Sequence, residues 1–146
     1  MNARLLLFAA GSLAALSWAP LVRSEEVLVP RGAKSSWQFL DAGQPAGKGW
    51  ATPEFDATKW KSGPAPLGYG EPDMGRTVSY GANARTKPIT TFFRRAVNVE
   101  DPAKVATLVI EIRRDDGAVV YWNGREIARS NMPAGSIMAY RHICHS

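Results

Sequence analysis

Apolar and polar residues alternate with a period of two in several short segments of this chain. After the first two dozen residues no segment keeps the three-to-four spacing of an amphipathic helix. In Ser35-Ser36-Trp37-Gln38-Phe39-Leu40, Trp37 and Phe39 fall on one side of an extended segment. Val105 to Arg113 alternates most cleanly. Leu108, Ile110 and Ile112 point one way, and Thr107, Glu111 and Arg113 the other. Thr90 to Val99 is rich in β-branched and aromatic residues and is predicted as a strand, with Phe93, Val97 and Val99 on one face. Strict alternation also brings Arg95 to that face, which requires either a bulge or a partner for the guanidinium. Val27 and Val29 predict a first strand within Glu25 to Gly32. Ala118 to Trp122 and Arg125 to Arg129 are predicted as a hairpin across Asn123-Gly124, a dipeptide that suits a turn with positive φ at both central residues.

Between these segments lie turn signals. Asp41 to Gly49 is a loop, Glu100 to Lys104 a turn, and Asp115-Asp116-Gly117 another. Lys61 to Gly81 is so rich in glycine and proline that no long helix can form there. Short strands at this spacing, separated by turns, predict an all-β sandwich or barrel. Trp60 and Trp122 are the aromatics expected in its core.

The chain opens differently. Arg4 precedes an apolar run that starts at Leu5 and reaches Val22, and Val22-Arg23-Ser24 places small residues where an export peptidase reads. Residues 1–24 are therefore expected to be a signal peptide. The run is also about long enough to span a thin bilayer, but Gly11, Pro20 and its serines fit an anchor poorly. The 18 basic residues less Arg4 and Arg23 leave 16 against 13 acidic ones, a net +3. The basic residues are scattered, so the charge gives no reason to expect a nucleic-acid partner. The single cysteine, Cys144, allows no internal disulfide, and an exported domain of this size must then rely on its core.

The run from Trp50 to Gly70 contains Phe55-Asp56-Ala57-Thr58-Lys59-Trp60-Lys61-Ser62-Gly63-Pro64-Ala65-Pro66-Leu67-Gly68-Tyr69-Gly70. It resembles a pattern of jelly-roll modules found near the N-terminus of large exported bacterial proteins. Val78-Ser79-Tyr80-Gly81, Ile89 to Val97 and Arg114 to Pro133 resemble the same modules in the same order. The likeness is to the galactose-binding-domain-like superfamily, related to the sugar-binding domain of family 2 glycosidases. It covers Val29 to Ile137. It implies a jelly-roll-like β-sandwich over residues 25–137, non-catalytic, often preceding a metallophosphatase, a glycosidase or a surface-anchoring segment. From about Met138 the tail, residues 138–146, departs from the pattern, and the likeness implies further C-terminal strands that this chain lacks.

Candidate chemistry is sparse. Asp115 and Asp116 are adjacent on an extended chain and face opposite ways, which suits a turn better than an acid–base pair. One of them with a backbone carbonyl can serve a structural Ca²⁺, although no Asp-x-Asp loop supports it. His142, Cys144 and His145 are metal-ligating types at a spacing that matches no known site, so no metal centre is assigned. There is no nucleophile motif and no catalytic residue to name, and the chain is not expected to be an enzyme. Tyr69 and Tyr80 lie in glycine-flanked loops, where their rings either stack on a sugar or pack the loop. Arg114 and Asp116, beside the predicted turn, can supply polar contacts. Three functions follow. The first is carbohydrate binding, with a glycan as partner and Tyr69, Tyr80, Arg114 and Asp116 as ligand-binding candidates. The second is a packing role in the N-terminal fragment of a secreted hydrolase, beside a catalytic domain. The third is a structural or adhesive surface module. In all three the chain is exported to the periplasm or beyond, free of the membrane after cleavage. Cleavage is expected between Ser24 and Glu25. Intact-mass analysis of exported protein checks it, and retention of Met1 on membrane-bound protein would contradict it.

Overall fold

The structure is a computed structural model that describes residues 26–81, 83, 85 and 87–136. The proposed leader and the tail bearing His142, Cys144 and His145 lie outside the described residues. The described residues are built mainly from short strands, seven in all, with two single-turn 3₁₀ segments among them, Gly32–Lys34 and Pro102–Lys104. Among the described residues no helix is long and apolar enough to cross a membrane.

Seven strands form three small sheets. β1 (Ser36–Leu40) is central in an antiparallel sheet, flanked by β2 (Lys61–Pro64) and β5 (Phe92–Arg94). β3 (Leu67–Gly68) and β4 (Arg76–Thr77) pair in parallel, and β6 (Ala118–Trp122) and β7 (Arg125–Ser130) form a hairpin. The register of β1 places Phe39 opposite Phe93 and Leu40 opposite Phe92. Alternation then divides the sheet as its sequence predicts. Trp37, Phe39 and Phe93 share one face, with Phe39 fully buried and Trp37 half-buried. Gln38, Leu40, Phe92 and Arg94 share the other.

That second face carries the core cluster. Phe92 and Ala46 are buried there, with Leu40, Trp50 and Trp60 packed against them. The Trp50 ring meets Phe92 edge-on at 5.0 Å, stacks near Trp60 at 6.4 Å and meets Tyr121 of β6 edge-on at 5.4 Å. Edge-to-face contacts of this kind contribute about 0.5–1.5 kcal/mol beyond their burial. Trp60 is thus a partly buried member of the cluster, while Trp122 is only half-buried in the hairpin. The main-chain turn that carries Trp50 is also pinned. The Arg94 guanidinium donates to Trp50 O at 2.8 Å and Thr52 O at 3.2 Å, and Gly124 N donates to Ala51 O at 2.8 Å. The hairpin tip is the predicted Asn123-Gly124 pair, with φ of 48° and 82°. A Cβ at Gly124 would come within 3.0 Å of the Thr52 side chain, so the tip needs glycine both for its backbone and for its docking.

Three sequence expectations are corrected. Glu25 to Gly32 contains no strand among its described residues. Instead Ser35 Oγ donates to Pro30 O, and the 3₁₀ turn folds the chain back before it can extend. Within Thr90 to Val99 only Phe92–Arg94 pairs. Arg95 leaves the ladder, and its Nη1 donates to Ser36 O at 3.0 Å while its buried Nε has no hydrogen-bond partner among the described residues, so the predicted conflict is met only in part. Val105 to Arg113, the best-alternating segment, belongs to no sheet and is exposed throughout. Alternation sets which way side chains point but does not supply a neighbouring strand. Conversely, the Gly/Pro-rich Lys61 to Gly81 segment, for which only the absence of a long helix was predicted, holds β2, β3 and β4.

Asp41 is a buried acid at the end of β1. Lys61 Nζ donates to its two carboxylate oxygens at 2.8 and 3.1 Å, and Ser79 N donates at 2.6 Å. One carboxylate therefore joins β2 to the chain leaving β4. Burial alone pushes this carboxyl up, but the Lys61 hydrogen bond, the Ser79 N–H and the Lys61 charge more than offset it, so it titrates below its ordinary value. A depressed folded pKa contributes stability above the unfolded value of about 3.9, and that stability is lost as pH falls through the folded value. Asp41→Asn is expected to cost about 1–3 kcal/mol at pH 7 and to flatten the loss of stability below about pH 4. Urea titrations of both proteins from neutral pH to pH 2 check this. An unchanged acid limb in the variant would contradict it.

Candidate functional site

Tyr69 directly follows β3, and Tyr80 lies three residues beyond β4. Because these strands run parallel, with Leu67 opposite Arg76 and Gly68 opposite Thr77, the chain leaves both at the same end. Val78 N donates to Gly68 O at 2.9 Å and extends the pairing one step towards Tyr80. The two rings, 40% and 42% exposed, meet edge-on with centroids 5.3 Å apart and planes at 60°. The Lys87 Nζ lies over both, 4.8 Å from the Tyr69 centroid and 5.1 Å from that of Tyr80. Two aromatic walls and one ammonium group thus converge on one exposed spot. Nothing in the local sequence around Lys87 signals this, since it is brought in from 18 residues after Tyr69.

Arg114 and Asp116 sit at the base of the β6–β7 hairpin. Arg114 Nε donates to Ser130 Oγ at 2.9 Å, and its Nη1 donates to the carbonyls of Asp115 and Asp116 at 3.2 and 3.0 Å. Asn131 Nδ2 also donates to Asp116 O. A Cβ at Gly117 would lie 2.5 Å from Asn131 O, so the predicted turn closes tightly on the end of β7. Arg114 and the main chain of Asp116 are thereby engaged in holding this corner. The link between the corner and the tyrosines runs through their neighbours. Arg113 pairs with Asp73, in the loop after Tyr69, through bonds of 2.5 and 3.4 Å. That hydrogen bond and charge hold the Asp73 carboxyl below its ordinary value.

Arg129 was foreseen only as a strand residue. It chelates Glu126 through bonds of 2.8 and 2.6 Å and also donates to Pro133 O and Gly135 O at 2.5 and 3.0 Å. The chain after β7 is folded over an open groove of about 720 Å³ lined by Tyr121, Glu126, Arg129 and Met132. Among the described residues no cluster of His, Cys, Asp or Glu is arranged to hold a metal ion. Comparison with protein-family models, curated proteins and solved structures returned no match.

A second surface is apolar. Val105, Leu108, Ile110 and Ile112 are each 42–48% exposed, and Val109 is 76% exposed. Ile110 and Ile112 border a cleft of about 210 Å³ against Ala118, Val120 and Ala128 of the hairpin. Extended apolar chain outside a sheet recruits other chains. Concentration-dependent self-association is expected in the range above about 100 µM, and Val109→Lys is expected to reduce it. Analytical ultracentrifugation checks both, and a wild-type chain that stays monomeric throughout would contradict the expectation.

Proposed function

We propose that this chain is an exported, non-catalytic jelly-roll-like β-sandwich module of the galactose-binding kind, and that it binds carbohydrate at Tyr69 and Tyr80. The observation that carries the reading is the meeting of these two exposed rings at 5.3 Å beyond the parallel β3–β4 pair. Aromatic rings held at an angle present apolar faces to the C–H face of a sugar, with the phenol oxygens free to hydrogen-bond at the rim. Such a site is shallow and its contacts few, so binding is weak. Arg114 and Asp116 are the polar candidates beside this site, Arg114 also holding the corner through Ser130 and the Asp116 carbonyl.

A second reading is favoured by the exposed row from Val105 to Ile112. In it the module packs beside the catalytic domain of a secreted hydrolase, and this row is the contact surface.

Titration of the chain with a panel of neutral oligosaccharides, followed by NMR, tests the first reading. Shifts are expected at residues 68–70 and 78–81, with Kd of about 1 mM or weaker. Tyr69→Ala with Tyr80→Ala is expected to abolish them while leaving the thermal transition in place. Shifts that persist in the double variant, or none at tens of millimolar sugar (roughly ten times that Kd), would overturn it.

A further inference from the structure

Lys87 changes what the tyrosine site can recognise. Its ammonium lies over both rings, within the distance at which a cation is attracted to an aromatic face. It is exposed, and among the described residues no carboxylate pairs with it. Of the two acids on the neighbouring loop, Asp73 is held by another cation. It is bound by Arg113 through two hydrogen bonds, and no ion pair of Glu71 occurs among the described residues. A positive charge without a carboxylate partner therefore stands where a stacked sugar would lie. A neutral sugar would have to share the ring faces with this ammonium and offer it only hydroxyls. A sugar carrying a carboxylate can stack on one ring and give the ammonium a charged acceptor, which makes a shorter and stronger hydrogen bond than a neutral one.

Resting on the carbohydrate-binding reading above, we infer that the Tyr69–Tyr80–Lys87 site selects acidic glycans, its preferred unit being a hexuronate whose carboxylate pairs with Lys87. The rings supply affinity common to any sugar, and Lys87 supplies the discrimination. Because the ammonium is exposed, that discrimination is modest and falls with salt.

The test compares a uronic-acid trisaccharide with its carboxyl-reduced counterpart, which keeps the same linkages and ring shapes. Both are titrated into the full chain at about 10 mM ionic strength, where screening reaches only beyond roughly 30 Å. The acidic sugar is expected to bind about fivefold more tightly. Lys87→Gln should remove the difference between the two sugars. Lys87→Arg should retain the preference, and about 0.5 M salt should erase it in the wild type. Equal affinities for the two sugars in the wild type, or a preference that survives Lys87→Gln, would overturn the inference while leaving the tyrosine site standing. If neither sugar binds, the carbohydrate-binding reading fails and takes this inference with it.

Discussion

Trp50 and the two residues after it are the joint on which the arrangement of the sheets depends. The indole touches Phe92 of β5, Trp60 of the loop before β2, and Tyr121 of the hairpin. The carbonyls of Trp50, Ala51 and Thr52 are all taken, two by Arg94 and one by Gly124 N. A turn rich in small and polar residues cannot bury much surface by itself. Here one large ring supplies the apolar contact, and three backbone acceptors are satisfied by groups from distant strands. Leaving such acceptors unpaired in a partly buried place would cost about 1–3 kcal/mol each. The joint thus penalises both undocking of the hairpin and loss of the Arg94 side chain.

Asp41 does similar work on the far side of the sheet, with charge in place of an aromatic ring. Its carboxylate accepts from Lys61 and from Ser79 N, so β2 and the strand-exit segment carrying Tyr80 are held to the end of β1. Ser79 is the residue before Tyr80, which connects this buried ion pair to the tyrosine site. The placement of Tyr80 rests on a main-chain bond to a buried acid, and that of Tyr69 on the parallel register of β3 with β4. The loop between them is tied down a third time by the Arg113–Asp73 pair, which is exposed and correspondingly weak.

The exposed row from Val105 to Ile112 and the tyrosine–lysine spot differ in kind. The first is apolar, extended and lacks a sheet partner, so its chemistry favours another polypeptide. The second combines two ring faces with an ammonium group. The two surfaces are joined through Arg113, which ends the apolar segment and grips the loop of the tyrosine site.

What the sequence determined by itself was local. The mainly-β character, the face shared by Trp37 and Phe39, the Asn123-Gly124 hairpin and the exposure of Tyr69 and Tyr80 all follow from side-chain alternation and from the φ values that asparagine and glycine tolerate. Each of these depends on residues only a few positions apart. What needed the tertiary structure was every pairing over longer range. Val105 to Arg113 alternates well, yet β5 joined a sheet with β1 while Val105 to Arg113 belongs to none. Alternation is a property of one strand and a ladder is a property of two. The parallel β3–β4 pair within a glycine- and proline-rich segment, the burial of Asp41, the many bonds of Arg129 and the arrival of Lys87 over the tyrosines were equally illegible. In each case the pairing depends on how the intervening loop folds or on several acceptors met at once, and no local pattern of side chains records where the folded chain will bring them.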